Sequence, residues 1–478
     1  MTKANNASTA LRVLRHALRT KSYVKFLKDS GIKIPTTPNQ AFFQNLPPIS
    51  KSAYIKRYPL KDFFSDNRIP PFAYASSGSS GKPTFWFRGR EAEKAGADMH
   101  ELVFTRVFGF TPQEPLLCIT AFYMGIWVGG NFTNDAIKLV GQRKRLRVTS
   151  VTPGADQEKV IHTIAQLGPQ FKHKVLFGYP DFIIDILPKL AAHGLAKDLR
   201  IVTAGYGFSE TWRQKVLSYT KQSAHPETVL SFYGLADLGL VATETKASII
   251  LKKALEQNPA LAQEVGIAGG NFGVFQYNPQ NYYVETINDK LAFTADSATP
   301  LVRYIPGDFG QSLSRSTAMQ LTNALRLSAR ERKYVSDSLP WPFLIFAGRE
   351  DVSVVFYAMY VHPEHIQQIL AADELPVQEK FLLYKILDPK THKEALHVQI
   401  ALQPKQKAGG RTVEQITTAL VKGLSRLSFE YRALYDELGA RAVPQVQLVP
   451  ANAIMELPIK AESGIYFEHG RKPKIVRR

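Results

Sequence analysis

Between residues 115 and 234 the hydrophobic positions fall into short continuous runs separated by longer amphipathic stretches. Runs at Pro115–Phe122, Arg147–Val151, Val175–Gly178, Leu199–Ala204 and Thr228–Tyr233 read as strands covered on both faces, because a strand with one wet face would alternate. The stretches Asp156–Leu167, Asp181–Ala192 and Ser209–Tyr219 carry helical spacing, and each opens on an acid or a serine suited to a cap. Strands separated by helices of this length predict βαβ crossovers and a parallel sheet. From 267 to 312 the pattern becomes alternating and turn-rich, with strands expected at Gly273–Tyr277, Tyr282–Ile287, Lys290–Thr294 and Leu301–Tyr304. A second change comes near Ala347. Beyond it follow Val352–Phe356, a helix from Pro363, strands at Phe381–Leu387 and His397–Leu402, a helix from Thr412 to Leu438 and a strand at Gln445–Val449. That βαββαβ order is ferredoxin-like in outline. The expected architecture is α/β: a large N-terminal domain, 1–346, with mixed and parallel sheets and helices, and a small mobile C-terminal α+β domain, 347–478.

Composition narrows the class. The 478 residues are 45% hydrophobic and 21% charged, a globular balance that excludes disorder, collagen and coiled coil. One cysteine, Cys118, excludes an internal disulfide framework, a four-cysteine zinc site and a Cys-ligated cluster. No run approaches the ~18 consecutive apolar residues of a membrane span, so a cytoplasmic enzyme is expected. Lys and Arg number 60 against 41 Asp and Glu, giving +19, which invites an anionic partner. The aromatics are not interleaved with the basic runs as a base-stacking platform requires. Nucleic acid is therefore the least supported partner, and phosphorylated small molecules explain the charge equally well. The first 28 residues hold Lys3, Arg12, Arg15, Arg19, Lys21, Lys25 and Lys28, with no acid before Asp29. They read as a basic surface helix, with an amphipathic transit peptide as the alternative; a secretory core and cleavage site are missing. No feature sets an oligomeric state.

The sharpest local feature is Ser76-Ser77-Gly78-Ser79-Ser80-Gly81-Lys82-Pro83-Thr84. Two glycines permit unusual backbone angles, four serines present hydroxyls and a lysine adds charge, a combination able to wrap phosphate oxygens. The spacing is not that of a Walker loop, and strands are expected on both sides, at Phe72–Ala75 and Phe85–Arg88, where a Walker loop would open a helix. No nucleophile elbow fits either. A flexible hairpin loop is the bland alternative.

The loop resembles the phosphate-binding signature of the adenylate-forming superfamily, and its form is similar to that of phenylacetate–CoA ligases. Further matches follow in the family's order: Leu46-Pro47-Pro48-Ile49-Ser50-Lys51, Ala204-Gly205-Tyr206-Gly207-Phe208-Ser209, Tyr233-Gly234-Leu235-Ala236-Asp237, Leu301-Val302-Arg303-Tyr304-Ile305-Pro306-Gly307-Asp308 and Gly348-Arg349-Glu350-Asp351. The likeness spans roughly residues 46 to 476. It implies an enzyme that uses ATP and Mg²⁺ to join a carboxylic acid to AMP and passes the acyl group to a thiol, with coenzyme A as the default acceptor. A carrier-protein phosphopantetheine or an amine stays open as acceptor.

By the same resemblance Ser76 to Lys82 would hold phosphates, and Gly205 with Tyr206 would line adenine. Tyr233 would stack on the adenine ring, and Gly234 would let the chain approach closely. Asp308 would accept from both ribose hydroxyls, Arg349 would help position ribose or phosphate, and Asp351 would mark the hinge. Lys472, in the tail Gly470-Arg471-Lys472-Pro473-Lys474-Ile475-Val476, would contact the α-phosphate and carboxylate; Lys474 and Lys460 are the other candidates. Some positions depart from the family. Tyr206 replaces an acid, Asp237 a glutamate that would bind Mg²⁺, Ala236 a threonine and Pro306 a threonine. Residues 309–347 lack the cysteine-rich segment common in that branch. These losses keep open a catalytically silent, nucleotide-binding scaffold.

Three features remain. Arg143-Lys144-Arg145 with Arg147 suits either the 3′-phosphate of coenzyme A or a solvated loop. His362 and His365 form an i, i+3 pair with no evident third ligand, so no zinc site is expected. The uncharged run Phe122 to Gly130, with Tyr123 and Trp127, joins Tyr179 as a candidate apolar pocket for an aryl or acyl chain, ordinary core being the alternative.

Overall fold

The computed structural model describes residues 2–65, 68–76, 84–205, 207, 208, 210–267, 272–349, 353–357, 359–372, 375–388, 390, 391, 393–404, 406, 409–468 and 474–477. The chain separates into two compact units, one of Met1–Ser76 with Phe85–Glu350 and one built on Asp351–Arg478.

In the large unit a 13-stranded sheet runs, among the described residues, in the order Ile49–Ser50, Pro300–Ile305, Lys290–Asp296, Asp308–Leu313, Phe343–Arg349, Gly273–Tyr277, Gly239–Thr243, Val229–Leu235, Arg200–Thr203, His173–Gly178, Pro115–Ala121, Arg147–Val151. Tyr282–Ile287 pairs with Lys290–Asp296 off this path. The strands from Val229–Leu235 to Arg147–Val151 are all parallel, as the apolar runs predict. Their residues alternate between two cores. Leu117, Ile119, Leu176 and Ile201 pack under the helices Gln157–Leu167, Pro180–Ala192 and Glu210–Thr220. Cys118, Val175, Phe177 and Val202 pack under Arg90–Leu102 and Val128–Gln142 on the opposite face. Each such side chain contributes about 1.5–3 kcal/mol on burial. Asp156 caps its helix by accepting from the Lys159 N–H at 3.0 Å.

The basic N-terminal stretch is more than a surface helix. It forms two helices, Thr2–Ala17 and Lys21–Asp29, broken at Thr20, whose side chain caps the second. Ala10, Val13, Leu14 and Ala17 make a fully buried stripe, while Arg12, Arg15 and Arg19 face out. Thr9 Oγ1 donates to the Pro279 carbonyl at 2.8 Å, fastening the helix to the turn-rich β region.

The second unit holds a five-stranded sheet in the order Gln445–Val449, Glu394–Leu402, Val377–Leu387, Ser463–Glu468, Lys474–Arg477. Helices Pro363–Ala372 and Gly410–Leu427 pack their apolar stripes, including Ile366, Ile369, Ile416 and Leu420, against Phe381, Leu383 and Val398. The unit is α+β, with three differences from the expected order. Val354–Phe356 forms a separate ribbon with Met359–Val361. Two strands follow Gln445–Val449. The helix expected from Thr412 to Leu438 is two, because Ser428 turns extended (φ −126°, ψ 113°) and its side chain caps Phe429–Leu438. No described helix is long and apolar enough to cross a membrane.

A buried ionic cluster ties the crossover helix Glu210–Thr220 to the sheet. Arg213, fully buried, meets Glu210 at 3.0 Å and Glu244 at 2.7 Å, and the other Glu244 oxygen accepts from the Ser231 N–H at 2.7 Å. Burial works against the Arg213 charge, but Glu244 and Glu210 outweigh it and hold its pKa above the usual value. Lys252, 2% exposed, completes the cluster through the Phe208 carbonyl at 3.0 Å and Glu210 at 3.2 Å. Replacing Arg213 by Met strands Glu244 in the core and should lower the unfolding free energy in urea by about 3 kcal/mol. Arg145→Met, at an exposed pair, should change it by less than about 1 kcal/mol.

Candidate functional site

Ligands of open α/β sheets bind beyond the carboxyl ends of parallel strands, where the strand order or direction switches. Here the switch falls at Val229–Leu235, whose one neighbour, Arg200–Thr203, is parallel and whose other, Gly239–Thr243, is antiparallel. Thr203 pairs with Ser231, so Gly205 and Tyr233 each lie two residues beyond that pair, on adjacent strand ends. Gly205 adopts φ +99°. Tyr233 is 7% exposed, and its hydroxyl donates to Oδ2 of Asp308, itself 1% exposed at the start of the strand Asp308–Leu313. Asp308 stands opposite Arg349 in the antiparallel pairing with Phe343–Arg349. Gly205, Tyr233, Asp308 and the Arg349 backbone, spread over more than 140 residues of sequence, are thus set on one sheet.

The ring of Tyr233 leans on Phe293 (6.2 Å, 26°), Phe275 (5.6 Å) and Phe346 (5.7 Å). A Cβ at Gly234 would come 3.1 Å from the Gly239 carbonyl oxygen, so the close approach here is to the chain's own hairpin. Asp237 is 9% exposed, and its backbone carbonyl accepts from Ser297 Oγ at 3.4 Å.

On the other side of Val229–Leu235, the ends of Pro115–Ala121 and His173–Gly178 carry the aromatic residues. The ring of Tyr179 lies 4.9 Å from Phe122 and 5.4 Å from Tyr123. Trp127 is joined by backbone pairing to Ala75, in the hairpin of Phe72–Ser76 and Thr84–Arg88 that flanks the Ser/Gly loop. Tyr123, Trp127 and Tyr179 are all partly exposed, as walls of a pocket must be.

No protein-family model matches the chain, and no curated protein matches it. Solved structures do. A 2-hydroxyisobutyryl-CoA ligase in complex with 2-HIB-AMP and CoA aligns with a TM-score of 0.62 at 15% identity, covering 96% of this chain and 88% of that one. The same ligase in its postadenylation state with R3-HIB-AMP aligns with a TM-score of 0.52 at 14% identity, covering 95% and 87%. The chain has the adenylate-forming fold. At such identity the likeness speaks for the fold, and what the site does rests on its own residues.

Within the adenylate-forming fold the structure brings together Gly205, Tyr233, Gly234, Asp237 and Asp308, and separately Tyr123, Trp127 and Tyr179. Of the loop, Ser76 ends a described strand, while Ser77, Gly78, Ser79, Ser80, Gly81 and Lys82 lie outside the described residues. So do Tyr206, Asp351 and Lys472. Lys474 begins the strand Lys474–Arg477, opposite Tyr466, and Lys460 is exposed. Two arginines of the basic cluster are engaged by acids and a third by a backbone carbonyl. Arg143 pairs with Asp98 and Glu101, both at 2.7 Å, and Arg145 pairs with Glu101, while Arg147 donates to the Gln113 carbonyl. Both acids, Asp98 and Glu101, come from the helix Arg90–Leu102. No group of three His, Cys, Asp or Glu among the described residues could hold a metal by itself.

Sequence reasoning passed over one polar group beside the site. Arg88 is 1% exposed, with Tyr74 and Glu93, 4% and 7% exposed, around it. The signal was local: in Thr84–Arg88 the buried positions are Trp86 and Arg88, so strand alternation turns the arginine inward. Burial pushes the Glu93 carboxyl up to about 7, against the pull of the Arg88 charge and the Tyr74 hydroxyl. Between its ordinary 4.5 and 7 the folded protein keeps a proton that the unfolded chain releases, so this group lowers stability as pH rises through that window. Glu93→Gln removes the effect. Urea unfolding should show the variant gaining on the wild type by on the order of 2 kcal/mol between pH 4.5 and pH 8. A constant difference would mean that Glu93 titrates as an ordinary carboxylate.

Proposed function

We propose that the chain uses ATP to activate a carboxylic acid as its acyl-adenylate and then transfers the acyl group to a thiol, coenzyme A being the acceptor favoured. The observation that carries this reading is the meeting of Gly205, Tyr233, Asp308 and Arg349 at the direction switch of the sheet, within a fold shared with a ligase solved with an acyl-adenylate and CoA. Asp308 is a carboxylate held in place by a hydroxyl, suited to receive two ribose hydroxyls. The Tyr233 ring is braced on three phenylalanines, a rigid face for a base. The apolar aromatic group at Tyr123, Trp127 and Tyr179 favours an aryl or acyl chain over a charged substrate.

In the first half-reaction a carboxylate oxygen attacks the α-phosphorus, the bond to the β-phosphate oxygen breaks, and pyrophosphate leaves. Positioning and charge stabilisation are what a protein contributes to such a step. Lys472 would neutralise charge between carboxylate and phosphorus. Asp237 would offer a single carboxylate to a Mg²⁺, which when bound would stabilise the leaving pyrophosphate. In the second half-reaction a thiolate sulfur attacks the acyl carbon and AMP leaves with the bonding pair. By the sequence resemblance, Asp351 would be the residue about which the small domain moves between the steps.

Pyrophosphate release with Mg·ATP, hydroxylamine as trap and pools of aryl, short-chain and long-chain acids tests the reading. Acid-dependent release with hydroxamate formation is the expected result. Lys472→Ala should lower that rate by roughly 10²-fold, and Asp308→Ala should raise the KM for ATP by roughly tenfold or more. Lys474→Ala should leave the rate within about twofold; loss there with Lys472→Ala intact would exchange the two roles. AMP release that requires free CoA assigns the acceptor, whereas release independent of CoA points to a carrier protein or an amine. No release from any pool, with ATP binding intact by calorimetry, overturns the enzyme reading in favour of a silent nucleotide-binding scaffold, with Tyr206 and Asp237 as the reason.

A further inference from the structure

The turn between Val229–Leu235 and Gly239–Thr243 is pinned by side chains from outside it. Arg88 Nη2 donates to the carbonyl of Ala236 at 2.7 Å and to that of Leu235 at 3.3 Å. The Tyr282 hydroxyl lies 3.0 Å from the Leu238 carbonyl and 3.1 Å from that of Leu240, one proton shared between two acceptors. Gly239, at φ +88°, leaves room for the guanidinium: a Cβ there would sit 3.0 Å from Arg88 Nη1. A side chain at 239 would therefore meet both backbone strain and the arginine.

A fully buried guanidinium is costly unless it is paired, and the usual remedy is a carboxylate at ion-pair distance. Arg88 has none among the described residues, and its Nε and Nη1 make no hydrogen bond there. Its charge is met by the field of the Glu93 carboxyl beyond ion-pair distance, by the rings of Phe132 at 4.8 Å and Tyr74 at 5.2 Å and by the two turn carbonyls. A residue kept only for stability would do better as an apolar side chain of the same length. What an apolar side chain could not do is hold the carbonyls of Leu235 and Ala236. Those two residues separate Tyr233-Gly234 from Asp237, and Arg88 closes the strand that leaves the Ser/Gly loop.

Resting on the adenylation reading, we infer that Arg88 is a positioning residue for the nucleotide site. By fastening the 235–236 backbone to the hairpin of the phosphate loop, it fixes where Tyr233 and Asp237 stand. It touches no substrate itself. Burial lowers its pKa from the usual arginine value, yet nothing nearby takes its proton and it remains a cation at neutral pH.

Two variants and two readouts test this. Arg88→Met keeps the packing on Phe132 and Tyr74 but removes every donor; Arg88→Lys keeps a charged donor group, the ammonium. Hydrogen exchange reports the turn: in Arg88→Met the amides of residues 235–241 should exchange about tenfold faster, with the strands Pro115–Ala121 and His173–Gly178 unchanged. Calorimetry and steady-state kinetics report the site: the same variant should weaken ATP binding and lower kcat for pyrophosphate release by about tenfold each, and Arg88→Lys should recover most of both. Unchanged exchange at 235–241 overturns the inference. So does faster exchange with ATP affinity and kcat kept, which would make Arg88 a structural residue alone. If Arg88→Met does not fold by circular dichroism, Arg88→Lys carries the test, with an intermediate loss expected and wild-type behaviour in both readouts as the overturning result. A wild-type protein that neither binds ATP nor releases pyrophosphate refutes the functional reading itself, and the wild-type arm shows this before any variant is compared.

Discussion

The large unit depends on how its sheet changes direction. Five strands run parallel as far as Val229–Leu235, and the next strand, Gly239–Thr243, runs back. A reversal inside a sheet buried on both faces exposes backbone polar groups to the core, where each must find a partner. The chain supplies those partners from its side chains: Arg88 and Tyr282, both distant in sequence, for the turn's carbonyls, and Glu244 for the Ser231 N–H. The same reversal opens the crevice in which a ligand of such a sheet binds. Fold closure and site formation are therefore one requirement, met by one set of side chains.

The parallel half was legible because burial on both faces writes continuous apolar runs, and Pro115–Ala121 or His173–Gly178 needs no partner to be recognised. The small unit was less so. A helical pattern continues through Ser428, and only the competition of its hydroxyl for the Tyr431 N–H breaks the helix there. The basic segment at the N-terminus was readable as a helix, but its burial depends on a complementary face at Pro279 and the neighbouring strands, which no local pattern reveals.

Within the site, Tyr233, Asp308 and Gly205 were legible as motif positions, and the structure adds that they are neighbours. Arg143 and Arg145 illustrate the opposite case. In a run of cations the sequence does not show which are already engaged, as Arg143 and Arg145 are by Asp98 and Glu101 on the facing helix. Arg88 was hidden for a related reason. Strand alternation says that it points inward, but which carbonyls it meets depends on a turn almost 150 residues away.

Buried charge in this unit follows a pattern that bears on function. Arg213, Glu210, Glu244 and Lys252 are mutually paired and lie where the helix Glu210–Thr220 and the helix Lys246–Glu256 meet the sheet. That cluster fixes the Phe208 carbonyl, three residues after Gly205. Arg88 lies on the other side of the same strand end and fixes the carbonyls of Leu235 and Ala236. One group is neutralised by direct ion pairs and the other by rings, carbonyl dipoles and the more distant Glu93 carboxyl, yet both hold backbone at or shortly after the ends of parallel strands. Hydrophobic packing is non-directional and leaves loop ends free to shift by fractions of an ångström; a charge-assisted hydrogen bond to a named carbonyl does not. Under the proposed adenylation reading, a site that places a nucleotide and an acid in line needs that precision at its loops, which is where the buried cations Arg88 and Lys252 hold the backbone.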